Sequence, residues 1–291
     1  MTGRGAELLR RLAAGFLIGD GGTGAMLRAS GLSSEDCEEE WNVSHPDAVI
    51  AVHRAFREAG SDIVQTNTFQ GSRTKLAKRG LGEQTGELNT AGARLTREAV
   101  GEDGFVAGSI GPTSELLEPY GPLTVQQAYD AFAEQTEALA AGGVDLFIVE
   151  TFIALEEIES AIRAAKSTGL PVAASMTFEA NGRTIMGVPA ERAAVALREC
   201  GADIAGANCS LGPQQLEPIV ARMAKASPGL LIAQPNAGMP QLVGGRTVYP
   251  ETPEAMAKYA VRFRELGVNL IGGCCGTRPE HIRAMVAGLR G

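Results

Sequence analysis

Eight short apolar runs recur along the chain, at residues 16–20, 62–67, 105–110, 145–150, 171–176, 203–208, 230–235 and 268–273. Their apolarity is continuous rather than alternating, which suits strands buried on both faces of a parallel sheet. Between them the spacing becomes helical. Ala48, Val52, Ala55 and Phe56 share one helical face. Val125, Ala128, Phe132, Gln135 and Leu139 share another, in a stretch that Thr124 opens as an N-cap. The same spacing predicts helices over 155–167, 190–200, 213–226, 253–266 and 279–289. Several of these begin with proline, which the first helical turn tolerates. The longer segment between the second and third runs predicts a glycine-broken piece over 72–79 and a helix near 86–100.

Strand then helix, eight times at about 36 residues a unit, is the requirement of a closed (β/α)8 barrel. No linker rich in Pro, Gly or Ser divides the chain, so residues 1–291 read as one α/β domain, a single TIM barrel. The rival is an open doubly wound sheet. It is disfavoured because no G-x-G-x-x-G follows the first run.

A barrel gathers its reactive groups at the C-terminal ends of its strands. Polar residues stand at those ends here: Asp20-Gly21-Gly22, Thr66-Asn67-Thr68, Ser109 with Gly111-Pro112, Glu150-Thr151, Asn208-Cys209, Pro235-Asn236 and Cys274-Cys275. Residues remote in sequence should therefore meet at one mouth. Three thiolates with one open position is the ligand count of a catalytic zinc site. Cys209, Cys274 and Cys275 fit that count, with Gly272-Gly273 and Gly276 letting the loop fold back. Buried small side chains, or a strained disulfide between the adjacent pair, are the competing readings. Cys37 and Cys200 fall outside strand ends and read as packing or surface residues. His45, His53 and His281 fall at or in helices, with nothing to aim them at the mouth.

Asp20 and Glu150 end buried strands, where a carboxylate is costly unless paired or bound. An internal arginine or a backbone amide could satisfy them. A substrate ammonium group could do so equally, while the amides of Gly21 and Gly22 could hold a carboxylate. Acids for an ammonium, amides for a carboxylate and a thiophilic metal together describe an amino acid bearing a thiol. The glycines at 272, 273 and 276 could instead cradle a phosphate, but soft cysteine ligands and the lack of a lysine in that loop argue against it.

Composition narrows the classes further. A formal charge of −8 disfavours nucleic acid and polybasic membrane surfaces as partners. No apolar run approaches the roughly 20 residues that span a bilayer, and residues 12–18 are too short for a signal peptide. Five cysteines without a secretion signal favour a reducing, cytoplasmic setting.

These residues carry a resemblance. The chain is similar to the homocysteine S-methyltransferases, which include the homocysteine domain of cobalamin-dependent methionine synthase, betaine–homocysteine methyltransferase and the S-methylmethionine-using enzymes. The most specific stretches are Gln65-Thr66-Asn67-Thr68-Phe69, Gly108-Ser109-Ile110-Gly111-Pro112-Thr113, Glu150-Thr151, Gly206-Ala207-Asn208-Cys209, Gln234-Pro235-Asn236-Ala237-Gly238 and Gly272-Gly273-Cys274-Cys275-Gly276-Thr277. The resemblance implies zinc on the three cysteines and the homocysteine amino group on Asp20 and Glu150. Gly21, Gly22, Ser109 and Thr151 complete the expected substrate contacts. Asn236 matches the position that can take the fourth zinc site in methionine-synthase-type members when substrate is absent. The implied reaction is methyl transfer to homocysteine sulfur, giving methionine. A zinc-dependent transferase or hydrolase acting on another substrate, and a non-catalytic barrel with structural zinc, are the alternative classes.

The donor is read by comparison within that family. The betaine enzymes carry tyrosines where this chain has Gln70 and Thr151, and their tryptophan is placed differently from Trp41. The aromatic cage that holds a quaternary ammonium is therefore not expected here. The S-methylmethionine enzymes usually place arginine where this chain has Gly276, as methionine synthases do. The expected donor is a methyl-corrinoid or methylfolate-linked protein, with S-methylmethionine as the alternative. Because the chain ends at Gly291, directly after the eighth predicted helix, that partner is expected to dock in trans.

Overall fold

The computed structural model describes residues 3–33, 35–244 and 246–291. Each of the eight apolar runs contains a strand: β1 (Leu17–Ile18), β2 (Ile63–Gln65), β3 (Phe105–Ile110), β4 (Leu146–Phe152), β5 (Val172–Met176), β6 (Ile204–Asn208), β7 (Leu231–Gln234) and, after a hairpin of β8 (Gln241–Val243) and β9 (Arg246–Val248), β10 (Leu270–Ile271). The order is β1-β10-β7-β6-β5-β4-β3-β2, and the neighbours in it pair in parallel. The outermost pair, β1 and β2, is stitched by Asp62. Its N–H donates to the Ile18 carbonyl at 2.7 Å, and its Oδ2 accepts from the Ile18 N–H at 2.8 Å. The sheet thus closes around as a single (β/α)8 barrel.

β1 and β10 are shorter than the runs that predicted them. Their hydrogen bonding continues past the strand ends, from Gly19 N to the Ile271 carbonyl and from Gly272 N to the Ala233 carbonyl. A further bond, from Gly273 N to the Asp20 carbonyl, carries the pairing to the mouth, where Asp20 and the cysteine pair stand.

The barrel is filled by inward residues of successive strands, among them Leu17, Ile63, Ile148, Ile204, Ile232 and Leu270. An N-terminal helix, α1 (Gly3–Ala14), was not among the predicted elements. It seals the bottom by adding Leu8 and Leu12 to that same cluster. Arg4 holds it down, with Nε 2.7 Å from Asp145 Oδ1. A larger apolar layer lies between the strands and the outer helices, and includes Val52, Phe56, Phe132 and Leu139.

The outer helices follow the predicted spacing closely. Leu155–Ser167 and Pro213–Ala226 keep the predicted bounds, and the helix predicted near 86–100 spans Thr85–Val100. Thr124 caps Val125–Gly142 through a reciprocal capping box with Gln127, which satisfies two end amides at once. Val125 departs from its predicted face and is 49% exposed. Among the described residues no helix is long and apolar enough to cross a membrane.

Candidate metal and substrate site

Cys209 directly follows β6, with φ of 59°, and Ser210 after it has φ of 55°. Two consecutive non-glycine residues in the left-handed region are costly and persist only where the surroundings hold them. The hold is visible: Cys209 N–H donates to the Gln234 carbonyl at 3.0 Å. The reversal turns the side chain of Cys209 over the mouth. The cysteine pair is pinned from β7's extension, with Cys274 N–H on the Pro235 carbonyl (2.8 Å) and Cys275 N–H on Asn236 Oδ1 (3.1 Å).

The three sulfurs converge. All lie within 4.8 Å of one another, and Cys209 Sγ is 3.8 Å from Cys275 Sγ. A tetrahedral zinc with bonds of about 2.3 Å requires sulfurs about 3.8 Å apart, so the donor set and spacing fit that metal. The sulfurs also share protons. Hydrogen bonds from Cys209 and then Cys274 lower the Cys275 thiol below its ordinary range, whereas Cys274 is raised by donating to Cys209 and Cys275 and by burial. Among the described residues this is the one group of three or more Cys, His, Asp or Glu side chains that could hold a metal.

The two acids sit beside it without a cation. Asp20 is 0% exposed; Oδ2 accepts from Gln65 N–H at 2.8 Å and Oδ1 faces Gln65 Nε2 at 3.3 Å. Burial pushes its carboxyl up to about 7. Glu150 is 6% exposed and accepts from Ser109 Oγ at 2.8 Å. Burial first, then the neighbouring charges of Asp20 and Cys275, push it up to about 8. Among the described residues neither carboxylate forms an ion pair. An unpaired, buried pair of acids is unfavourable alone and favourable around a cation.

Asn208, named in the sequence only as the residue before Cys209, is the hub of the site. Its Oδ1 accepts from Thr151 N–H (2.9 Å) and Ser175 Oγ (2.8 Å). Its Nδ2 donates to Thr151 Oγ1 (2.8 Å) and Glu150 Oε2 (3.1 Å). Thr151 is held there at φ of 69°, another left-handed non-glycine residue. The available signal was a polar side chain at the end of a strand otherwise buried and apolar.

Gly21 and Gly22 prove to be packing positions as well. A Cβ on Gly21 would lie 2.7 Å from the Thr277 carbonyl oxygen, and Gly22 N–H already donates to that carbonyl at 3.0 Å. The amide left for a ligand in this pair is that of Gly21. Asn236 is at the mouth with its Oδ1 engaged by Cys275 N–H. Cys37 lies outside the sulfur cluster, its thiol facing Glu39 Oε2 at 3.3 Å, and Cys200 ends the Ala190–Glu199 helix. The histidines stay out of the cluster: His45 stacks on Trp41, His53 is buried in its helix, and His281 Nδ1 accepts from Arg278 N–H. Two residues at the mouth went unnoticed in the sequence. Glu38 is paired with Arg28 at 2.7 Å, and Tyr249 lies against Gly276.

The methionine synthase of Mycobacterium leprae is 31% identical over 300 residues, covering 97% of this chain and 25% of that protein. The methionine synthase of Mycobacterium tuberculosis is 32% identical with the same coverage. The chain thus spans about a quarter of the length of these curated relatives. Among solved structures, the homocysteine methyltransferase MmuM of Escherichia coli superposes in its oxidized form with a TM-score of 0.81 at 25% identity, over 96% of this chain and 98% of that one. Its metallated form gives 0.79 at 25% identity, over 94% and 96%. The family model for homocysteine S-methyltransferases matches residues 17–289. By that match, which takes in every strand and every residue of the site, the chain belongs to the homocysteine S-methyltransferase family.

Proposed function

We propose that this barrel transfers a methyl group to the thiol of homocysteine, forming methionine, with zinc held by Cys209, Cys274 and Cys275. The observation that carries the reading is the placement of three converging sulfurs beside two buried carboxyls that have no cation. Zinc, when bound, supplies a Lewis acid that keeps a coordinating thiol deprotonated near neutral pH.

The chain's own residues do the rest. Asp20 and Glu150 take the substrate ammonium, which replaces two protons or two unpaired charges with one shared cation. Ser109 and Asn208 orient Glu150, and Asn208 fixes Thr151 in turn. The Gly21 amide is placed for the substrate carboxylate, with Gly22 behind it in the turn. Asn236 is the candidate fourth ligand in the absence of substrate; to serve, its Oδ1 must leave Cys275 N–H. With both ends of the amino acid fixed, the sulfur points out of the barrel, and orientation supplies much of the rate. In the transfer itself the new S–C bond forms as the donor's bond to the methyl carbon breaks. The thiol proton goes to solvent.

The donor is a methyl-corrinoid or methylfolate-linked protein partner. Support comes from the likeness to methionine synthases and from exposed apolar side chains on loops at the mouth end, including Tyr120, Ile185, Met186, Leu242 and Val243. The betaine alternative is disfavoured by Gln70 and Thr151, which stand where the betaine enzymes carry tyrosines, and by Trp41, which is stacked on His45. Three unpaired thiols in one cluster suit a reducing, cytoplasmic setting. The test is methionine formation by zinc-loaded protein from homocysteine with methylcobalamin, methyltetrahydrofolate, S-methylmethionine and betaine offered separately. Turnover with methylcobalamin is expected, and turnover with betaine would contradict the reading.

A further inference from the structure

Each acid of the mouth is held by a donor from the strand next to it. Ser109, on β3, gives its hydroxyl to Glu150 Oε1, on β4, at 2.8 Å. Gln65, the last residue of β2, holds Asp20 twice: its N–H donates to Oδ2 at 2.8 Å and its Nε2 to Oδ1 at 3.3 Å. In the closed ring β1, β2, β3 and β4 follow one another, so Gln65 and Ser109 stand on the arc between the two acids. Gln65 differs from Ser109 in what it leaves over. Its side chain is buried, and among the described residues its Oε1 has no hydrogen-bond partner. A buried acceptor without a donor is an exception that calls for a cause. Turning the amide over does not remove it once Asp20 is ionised, as a bound cation requires, because the amide oxygen would then face Asp20 Oδ1. Gln234 Oε1 is also buried without a partner, but it stands on the cysteine side, where the Gln234 carbonyl takes Cys209 N–H. The bland explanation for Gln65 is an ordered water on Oε1. Such a water would be indifferent to whether a ligand carries an amino group.

We propose that Gln65 Oε1 accepts the third N–H of the substrate ammonium, so that β2 reads the amino group together with Asp20 and Glu150. This rests on the reading given above, that those acids take an ammonium. Such a group carries three N–H donors. Two carboxylates account for two of them, and the third needs an acceptor in a place already shut off from water. Gln65 supplies one while its Nε2 keeps Asp20 in place. The residue then sets specificity: it separates an amino acid bearing a thiol from the same thiol without the amino group.

The experiment is calorimetric titration of the zinc-loaded whole chain as wild type, Gln65→Met and Gln65→Glu. Each protein is titrated with homocysteine and with its desamino analogue, the same thiol acid lacking the amino group. Gln65→Met keeps the length of the side chain and removes both polar atoms. Gln65→Glu keeps an acceptor and gives up the donor to Asp20. In Gln65→Met the dissociation constant for homocysteine should rise about tenfold or more, the size of one hydrogen bond to a charged group. Gln65→Glu should recover most of that loss, and all three proteins should bind the desamino analogue alike, which also shows that the site has stayed intact. Equal weakening of both ligands in Gln65→Met, or no weakening of either, would overturn the proposal. A loss in Gln65→Glu as large as in Gln65→Met would overturn it too, leaving Gln65 only as a support for Asp20. Equal binding of the two thiols by wild type would remove the ammonium reading itself and this inference with it.

Discussion

Asn208 Nδ2 donates to Glu150 Oε2 at 3.1 Å, and the same nitrogen faces Cys274 Sγ at 3.9 Å. One amide at the end of β6 therefore touches both halves of the site, the acids proposed for the substrate and the sulfurs proposed for the metal. Because its oxygen also holds Thr151 and Ser175, its orientation is fixed by four polar partners rather than by packing alone.

Asn208→Ala should accordingly impair both halves. It leaves Thr151 N–H and Ser175 Oγ without partners and takes from Glu150 the donor on Oε2, with Ser109 still on Oε1, and each buried group so stranded costs about 1–3 kcal/mol. The expected outcome is a lowered Tm and a homocysteine dissociation constant raised by about tenfold or more, equivalent to about 1.4 kcal/mol. Calorimetric titration of zinc-loaded protein measures the second effect. An unchanged dissociation constant would remove Asn208 from the substrate side of the site.

Removing a sulfur should remove the metal. Cys209→Ser, Cys274→Ser and Cys275→Ser are expected to lose most bound zinc on dialysis, while Cys37→Ser and Cys200→Ser keep wild-type zinc content and activity. Elemental analysis reads the outcome. Full zinc retention in Cys275→Ser would break the assignment.

The acids make a prediction about pH with a definite sign. The folded-state values of Asp20 and Glu150, about 7 and about 8, lie above their ordinary 3.8 and 4.5. Below the ordinary values both states hold the proton and the acids cost nothing. As pH rises, the unfolded chain releases protons first, so ligand-free protein loses stability through this window and the loss levels off above the raised values. Glu150→Gln cannot ionise. Its Tm should rise relative to wild type as pH goes from about 4.5 to about 8, while its affinity for homocysteine falls. Thermal unfolding of the ligand-free proteins across that range checks the first part. A difference that shrinks as pH rises would show that Glu150 is not held protonated by burial.

Stability and substrate recognition should separate at the barrel's other end. Leu8, fully buried in the barrel floor, is remote from the mouth. Leu8→Ala is expected to cost about 2–5 kcal/mol of folding stability with the KM for homocysteine unchanged, as denaturant unfolding and steady-state kinetics would show.

The barrel was legible because strands buried on both faces leave uninterrupted apolar runs, and because the outer helices keep one apolar stripe each. The residues at the mouth stood out as polar groups ending those runs. α1 was missed because its buried face consists of Gly5, Leu8 and Leu12 among three arginines and a glutamate, a stripe too thin to register. The β8–β9 hairpin was missed for the opposite reason: Leu242 is 78% exposed, so its apolar residues mark no core. Asn208 does not announce its role locally. It acts through partners that only folding brings near, Glu150 from β4 among them.

The central claim is that the three cysteines hold zinc and that homocysteine adds its own sulfur to them. X-ray absorption at the zinc edge, recorded with and without homocysteine, addresses it directly. Three sulfur neighbours and one nitrogen or oxygen neighbour are expected without substrate, and four sulfurs at about 2.3 Å with it. A sulfur count that stays at three when homocysteine is saturating would contradict the account.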